Sequence, residues 1–158
     1  MKVFVTVGTQ LPFDRLIGAV DQWAASRNCE VLAQTGTTQL QPRHIDWKDF
    51  IDVSEANDRI RTADLVVAHA GMGTILTRLE TGLPMIVLPR RADLGEHRND
   101  HQLATVRRLS HIPGLIVVND EGELQDRMSR FEPRRGTAAL EAVASPSLIT
   151  AIREFVLT

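Results

Sequence analysis

A single cysteine, Cys29, is all the thiol chemistry that this chain of 158 residues offers. One thiol excludes an intrachain disulfide framework and a cysteine-rich zinc site, and it is compatible with a reducing compartment. Long apolar runs are missing as well, since no stretch approaches the ~20 residues of a transmembrane helix. The chain passes from Lys2 directly into Val3-Phe4-Val5-Thr6-Val7 with no signal-peptide pattern, so the expected location is cytoplasmic, with peripheral membrane attachment through a partner left open. Charge of one sign is not in excess: a formal net charge of -2 gives no reason to expect nonspecific nucleic-acid binding. Internal repeats and low-complexity tracts are absent. A mass of 17.6 kDa suits one domain and would cramp two, and such a chain buries roughly two thirds of its unfolded surface.

What is present is an alternation of short β-rich runs and helical periodicities. Val3 to Val7 reads as a central parallel strand, and Phe13, Leu16, Ile17 and Val20 follow at helical spacing through about Ser26. Glu30 to Thr35 reads as the next strand, closed by Gly36. Thr37 to Asp46 is connector, Lys48 to Val53 is expected as a short strand around Phe50 and Ile51, and Ser54 opens a short amphipathic helix. Met85 to Leu88 and Leu115 to Val118 are further apolar strands. Helices are expected from about Asp100 through Leu109, from Glu121 to about Phe131, from Pro133 through Val143, and over Leu148, Ile149, Ile152, Phe155 and Val156. That last helix serves either the domain's own core or a contact with a partner. The pattern predicts a three-layer α/β domain with a mainly parallel sheet.

The segment Asp64 to Pro84 organises the rest. Leu65 to Ala68 has the length of a buried parallel strand, Gly71 and Gly73 lie in the turn after it, and Thr74 is expected to cap a helix carrying Ile75, Leu76 and Leu79 on one face. Such a turn leaves backbone N–H groups converging at a positive helix end, where phosphate oxygens fit. A Cβ at either glycine is expected to hinder the turn or the approach of a ligand. Neither the dinucleotide-binding glycine spacing nor the phosphate-loop spacing is present, so an empty tight turn is the competing reading. Arg90 to Asn99 follows a strand at its carboxyl end, where open α/β sheets place ligands; a plain solvated loop is the alternative.

Val5-Thr6-Val7-Gly8-Thr9-Gln10-Leu11-Pro12-Phe13-Asp14-Arg15-Leu16, His69-Ala70-Gly71-Met72-Gly73-Thr74 and Asn99-Asp100-His101-Gln102 together resemble the carboxyl-terminal, sugar-nucleotide-binding domain of glycosyltransferase family 28. The likeness is greatest to the free-standing small subunits of two-piece enzymes of lipid-linked oligosaccharide and exopolysaccharide synthesis. It covers nearly the whole chain, and it implies a Rossmann-like half of a GT-B fold, residues 1–158 forming a single UDP-sugar donor-binding domain. The acceptor-binding half, with the membrane contact, would then come from a membrane-anchored glycosyltransferase subunit, and the acceptor would be a lipid-linked saccharide at the inner face of the membrane.

The same resemblance implies the site. His69 is expected near the donor diphosphate, donating to a phosphate oxygen, with the Met72, Gly73 and Thr74 amides completing a cradle behind Gly71. Gly8 and Thr9 are expected to meet phosphate or merely to turn the chain. Asp100, His101 and Gln102 match the segment that holds the hexose, with Gln102 favoured and an N-cap role for Asn99 or Asp100 as the alternative. Many relatives carry glutamate at the position of Thr77, so the ribose contact falls to Thr77 or to Glu80. His69 and Gln102 are the expected catalytic residues. No tightly bound cofactor and no metal are expected, and cations among Arg90, Arg91, His97 and Arg98 serve the leaving diphosphate, the partner or a phospholipid. The rival readings are a noncatalytic nucleotide-sugar-binding regulatory subunit and a self-sufficient homodimeric glycosyltransferase.

Overall fold

In a computed structural model that describes residues 1–133, six strands form one sheet in the order β3-β2-β1-β4-β5-β6. They are β1 Lys2–Thr6, β2 Glu30–Gln34, β3 Asp46–Lys48, β4 Leu65–His69, β5 Met85–Leu88 and β6 Leu115–Val117. Every pairing is parallel. Beyond Pro133 itself, the expected helices from Pro133 to Val143 and over Leu148 to Val156 lie outside the described residues.

Alternate residues of the strands feed two cores. On one face Val3, Val5, Val67 and Ile86 pack with Leu16, Ile17 and Val20 of α1 (Asp14–Ala24) and with Leu124 and Met128 of α5 (Glu121–Ser129). On the other, Phe4, Val66, Met85 and Val87 meet Ile60 of α2 (Val53–Thr62), Ile75 and Leu79 of α3 (Met72–Leu79) and Val106 of α4 (His101–Leu109). The two-residue period of a strand makes this division, and both faces being covered explains why the central strands read as continuous apolar runs.

Three expectations change. The third strand is Asp46–Lys48 rather than Lys48 to Val53, and all three of its residues are exposed. Its place is set by pairing with β2, extended by Thr35 and Gly36 donating to the Lys48 and Asp49 carbonyls, so its own side chains carry no apolar signal. Asp52, not Ser54, caps α2, its carboxylate accepting from the Ser54 amide at 2.8 Å. Helix α3 starts earlier than expected: Gly71 is its extended N-cap residue and Thr74 lies inside the first turn, with no side-chain cap.

The order of the strands has a functional consequence. The chain builds outward from β1 to β3, then returns to the other side of β1 to place β4, which makes the β1–β4 boundary a topological switch point. Ligands of open parallel sheets bind beyond the carboxyl ends of the strands at such a boundary.

Candidate donor site

A cleft of about 260 Å³ lies at this boundary, lined by Val7 to Leu11 after β1, His69 and Gly71 after β4, Arg90 after β5, and His97, His101 and Gln102. No carboxylate is among its described lining residues. Among the described residues no cluster of three or more His, Cys, Asp or Glu side chains is arranged to hold a metal ion.

Two glycines clamp the His69 ring. A Cβ on Gly8 would come within 2.7 Å of His69 Cε1, and one on Gly71 within 2.3 Å of Nε2. Gly8 is also at φ +75, a backbone conformation costly for other residues. Gly71 is therefore explained by the imidazole beside it, whereas a Cβ on Gly73 meets nothing within 4 Å. Of the two expected reasons for a glycine here, room in the turn applies to Gly71, while Gly73 leaves open space over the helix end.

His69 Nδ1 makes a long contact of 3.5 Å to the Thr6 carbonyl. A carbonyl only accepts, so the contact favours the hydrogen on Nδ1 and leaves Nε2 a lone pair. Burial first, then the nearby Arg90 charge, pushes the imidazole pKa down to about 4, and the Thr6 carbonyl only partly opposes them. At neutral pH His69 is uncharged and offers an acceptor on its Nε2 side. Donation to a phosphate oxygen needs the hydrogen on Nε2, in the other neutral tautomer or in the protonated ring.

The backbone supplies the donors instead. The Gly71 amide is taken by the His69 carbonyl at 2.8 Å and the Ala70 amide by Gln102 Oε1 at 3.2 Å. Met72, Gly73 and Thr74 are the first residues of α3, whose amides have no carbonyl one turn earlier to meet, and no described group accepts from them. Of the amides from Ala70 to Thr74, two are spent internally and the three at the helix start are open.

Gln102 is buried, and its Oε1 accepts from two amides, Ala70 at 3.2 Å and Arg90 at 3.0 Å. Two donors fix that atom as oxygen, so the accepting half of the carboxamide is committed and the Nε2 half remains for a ligand. Asp100 precedes α4 without capping it through its side chain; one carboxylate oxygen holds the Ala92 amide at 2.9 Å. Asn99 Oδ1 accepts from the His101 amide at 3.3 Å. The expected hexose segment thus braces the 90–100 loop, and its free groups are fewer than the sequence suggests.

Thr77 is half-buried midway along α3, with no described partner for its hydroxyl. Glu80 is not brought to the cleft. It closes the far end of α3, about 12 Å along the axis from Met72, and pairs with Arg61 at 2.8 Å.

Arg90 is the residue whose role the sequence obscures. Grouped by pattern with solvated loop charges, it is only 2% exposed. Its Nη1 donates to the Pro12 and Glu96 carbonyls at 2.5 and 3.3 Å, and its Nη2 to those of Val7 and Leu11 at 2.9 and 2.6 Å. The guanidinium lies 4.6 Å from the Phe13 ring centroid. Neighbouring loop charges are also engaged: Glu96 binds Arg15 at 2.6 Å, and Arg91 pairs with Asp93. The only available hint is that Arg90 directly follows the apolar run Met85 to Pro89.

Comparison with known proteins shows the family. The Glycosyltransferase family 28 C-terminal domain matches residues 2–127. The chain belongs to glycosyltransferase family 28. It is 35% identical over 163 residues to the UDP-N-acetylglucosamine transferase subunit ALG13 of Homo sapiens, a match covering 92% of this chain but 14% of that protein. Among solved structures it superposes on CalG4, the calicheamicin glycosyltransferase, with a TM-score of 0.59 at 17% identity, over 98% of this chain and 37% of that one. It superposes on the solution structure of ALG13 with a TM-score of 0.53 at 18% identity, over 99% and 97% of the two chains. The fold is the Rossmann-like half of the GT-B architecture, and this family 28 domain carries its cleft at the sheet edge described above.

Proposed function

We propose that residues 1–158 form a single UDP-sugar donor-binding domain of a glycosyltransferase whose acceptor-binding half is a separate, membrane-anchored subunit. The observation that carries this reading is the trio of open amides at Met72, Gly73 and Thr74 beside a cleft with no carboxylate among its described lining residues, in a family 28 chain. A diphosphate would accept from these amides, and the open space over Gly73 lets it approach. The α3 N-terminus adds partial positive charge and Arg90 a full one nearby, which together lower the energy of the charge that develops on a leaving UDP. The hexose would extend toward Gln102 Nε2 and His101, and the ribose toward Thr77.

The reaction is transfer of a glycosyl unit from the donor to a lipid-linked saccharide, as in exopolysaccharide assembly at the inner face of the membrane. The acceptor hydroxyl needs a base, and no carboxylate is among the described lining residues; on this reading the partner completes the site. Among the described residues no helix is long and apolar enough to cross a membrane, so membrane contact on this reading belongs to the partner.

Calorimetric titration of the chain, alone and with its acceptor subunit, with UDP and UDP-sugars is the test. Saturable binding by the chain and turnover only by the pair are expected. Failure of both forms to bind any UDP-sugar overturns the reading, and turnover by the chain alone replaces it with the self-sufficient enzyme.

A further inference from the structure

Arg90 spends its four terminal N–H bonds on carbonyls, so they are not available to a ligand. Three of the acceptors, Val7, Leu11 and Pro12, belong to the one loop that walls the cleft after β1. Drawing the carbonyls of a short loop to one point constrains where its amides lie. In this loop the Gly8 amide is held by the Thr6 hydroxyl at 3.2 Å, while those of Thr9, Gln10 and Leu11 have no described acceptor. Thr9, Gln10 and Leu11 all line the cleft, together with His69 and with Gly71, the residue before α3.

We propose, resting on the donor-site reading above, that Arg90 is a positioning residue that shapes the Gly8–Pro12 loop into a second bank of amide donors for the donor diphosphate, without touching it through its terminal nitrogens. The other links of Arg90 fit this role. Its own amide donates to Gln102 Oε1, which also holds the Ala70 amide, so one side chain from α4 ties the arginine to the turn before α3. Glu96 gives Arg90 its carbonyl but turns its carboxylate to Arg15 at 2.6 Å and to the Arg91 amide at 2.9 Å. The positive charge is therefore balanced by carbonyl dipoles instead of being cancelled by a carboxylate bonded to it. A lysine keeps the charge but is a compact point donor that cannot reproduce the planar fork.

The test uses the full chain and two variants, Arg90→Lys and Arg90→Met. It combines titration with UDP and UDP-glucose, the amide NMR signals of Thr9, Gln10 and Leu11, and the titration of the His69 ring. The groups facing that ring are the Thr6 carbonyl from β1, Arg90 after β5, His97 before α4 and His101 at its first residue. In both variants the Thr9, Gln10 and Leu11 signals are expected to shift and UDP to bind at least about tenfold more weakly, the scale of one lost well-placed interaction. His69 should stay low in Arg90→Lys, which keeps the charge, and titrate higher in Arg90→Met.

Wild-type UDP affinity in Arg90→Lys would show that charge alone suffices and overturn the proposal. If Arg90→Met does not fold, Arg90→Lys decides. If the wild-type chain binds no uridine nucleotide, the donor reading fails separately, and unchanged Thr9 to Leu11 amide signals in Arg90→Lys would still overturn the loop-shaping role.

Discussion

Two buried arginines hold opposite edges of the same sheet. Arg78, fully buried in α3, sits at the amino edge, where its guanidinium donates to the carbonyls of Ile60, Ala63, Asp64 and Pro84 at 2.6 to 3.2 Å. Arg90 sits at the carboxyl edge and gathers the carbonyls of Val7, Leu11, Pro12 and Glu96. Both solve the same problem, a buried charge without a carboxylate hydrogen-bonded to it, by recruiting backbone dipoles. Their settings differ. Arg78 joins the end of α2 to the starts of β4 and β5, while Arg90 walls a cleft. On the proposed donor-site reading, the carboxyl edge needs a loop held open, whereas the amino edge needs only to be closed.

Replacing Arg78 is the strongest way to sharpen that contrast. Burial pushes its pKa down to about 10, with Asp64 pulling the other way, so it remains charged at neutral pH. Arg78→Met deprives four carbonyls of their donor and should cost about 3–5 kcal/mol of stability, as for other broken buried charge networks. Urea unfolding measures the loss, and UDP affinity of the folded fraction should be unchanged. A large loss of affinity with intact folding would break the division between the edges.

Neither arginine's role was legible in the sequence, for a shared reason. Their partners are main-chain oxygens drawn from separate segments, and a carbonyl has no residue identity. What was legible is what repeats or what only certain residues can do: the apolar strands, the period of α1, and the Gly71 turn after β4. The short strand Asp46–Lys48 was misplaced because an exposed edge strand is positioned by its neighbour's hydrogen bonds. Glycine itself was seen, but its reason was not, since the ring that Gly8 and Gly71 make room for lies between segments distant in the chain.

At the carboxyl edge, the half-buried neutral His69 makes stability depend on pH. Its folded pKa of about 4 lies below the ordinary 6.5, so the unfolded chain binds the extra proton between these values. Stability should be unaffected above about pH 6.5 and fall as the pH drops toward 4, by at most about 3 kcal/mol. Thermal unfolding across that window in wild type and His69→Gln checks it; the variant should lose this part of the slope. An equally steep slope in the variant would assign it to other groups.

The glycines of the turn separate folding from binding at that same edge. Gly71→Ala drives a Cβ into His69 and should cost about 1–3 kcal/mol, with weaker UDP binding. Gly73→Ala meets open space, so its stability should hold or rise by up to about 0.5 kcal/mol through helix propensity near the helix end. Its UDP affinity should nevertheless fall, because the added methyl occupies the approach to the open amides. Unfolding and titration of the same two samples read both signs; a Gly73→Ala protein that binds UDP normally would move the diphosphate off the start of α3.

Glu80 gives the smallest effect and tests the amino edge from within the helix whose other end carries the proposed diphosphate site. Its carboxylate meets Arg61 at 2.8 Å on the surface, with both side chains more than a third exposed. Exposed pairs contribute roughly 0–1 kcal/mol because water screens them and ordering two long side chains costs entropy. Glu80→Gln should therefore shift stability within that range and leave UDP affinity unchanged, whereas Thr77→Val, nearer the open amides, should weaken nucleotide binding with little change in unfolding. A ribose held by Glu80 would reverse the pair, since the carboxylate would have to leave Arg61 and reach along the helix toward the cleft. Comparing UDP with uridine-free pyrophosphate on both variants isolates the ribose contribution, because only the nucleoside-bearing ligand can register the loss of the Thr77 hydroxyl.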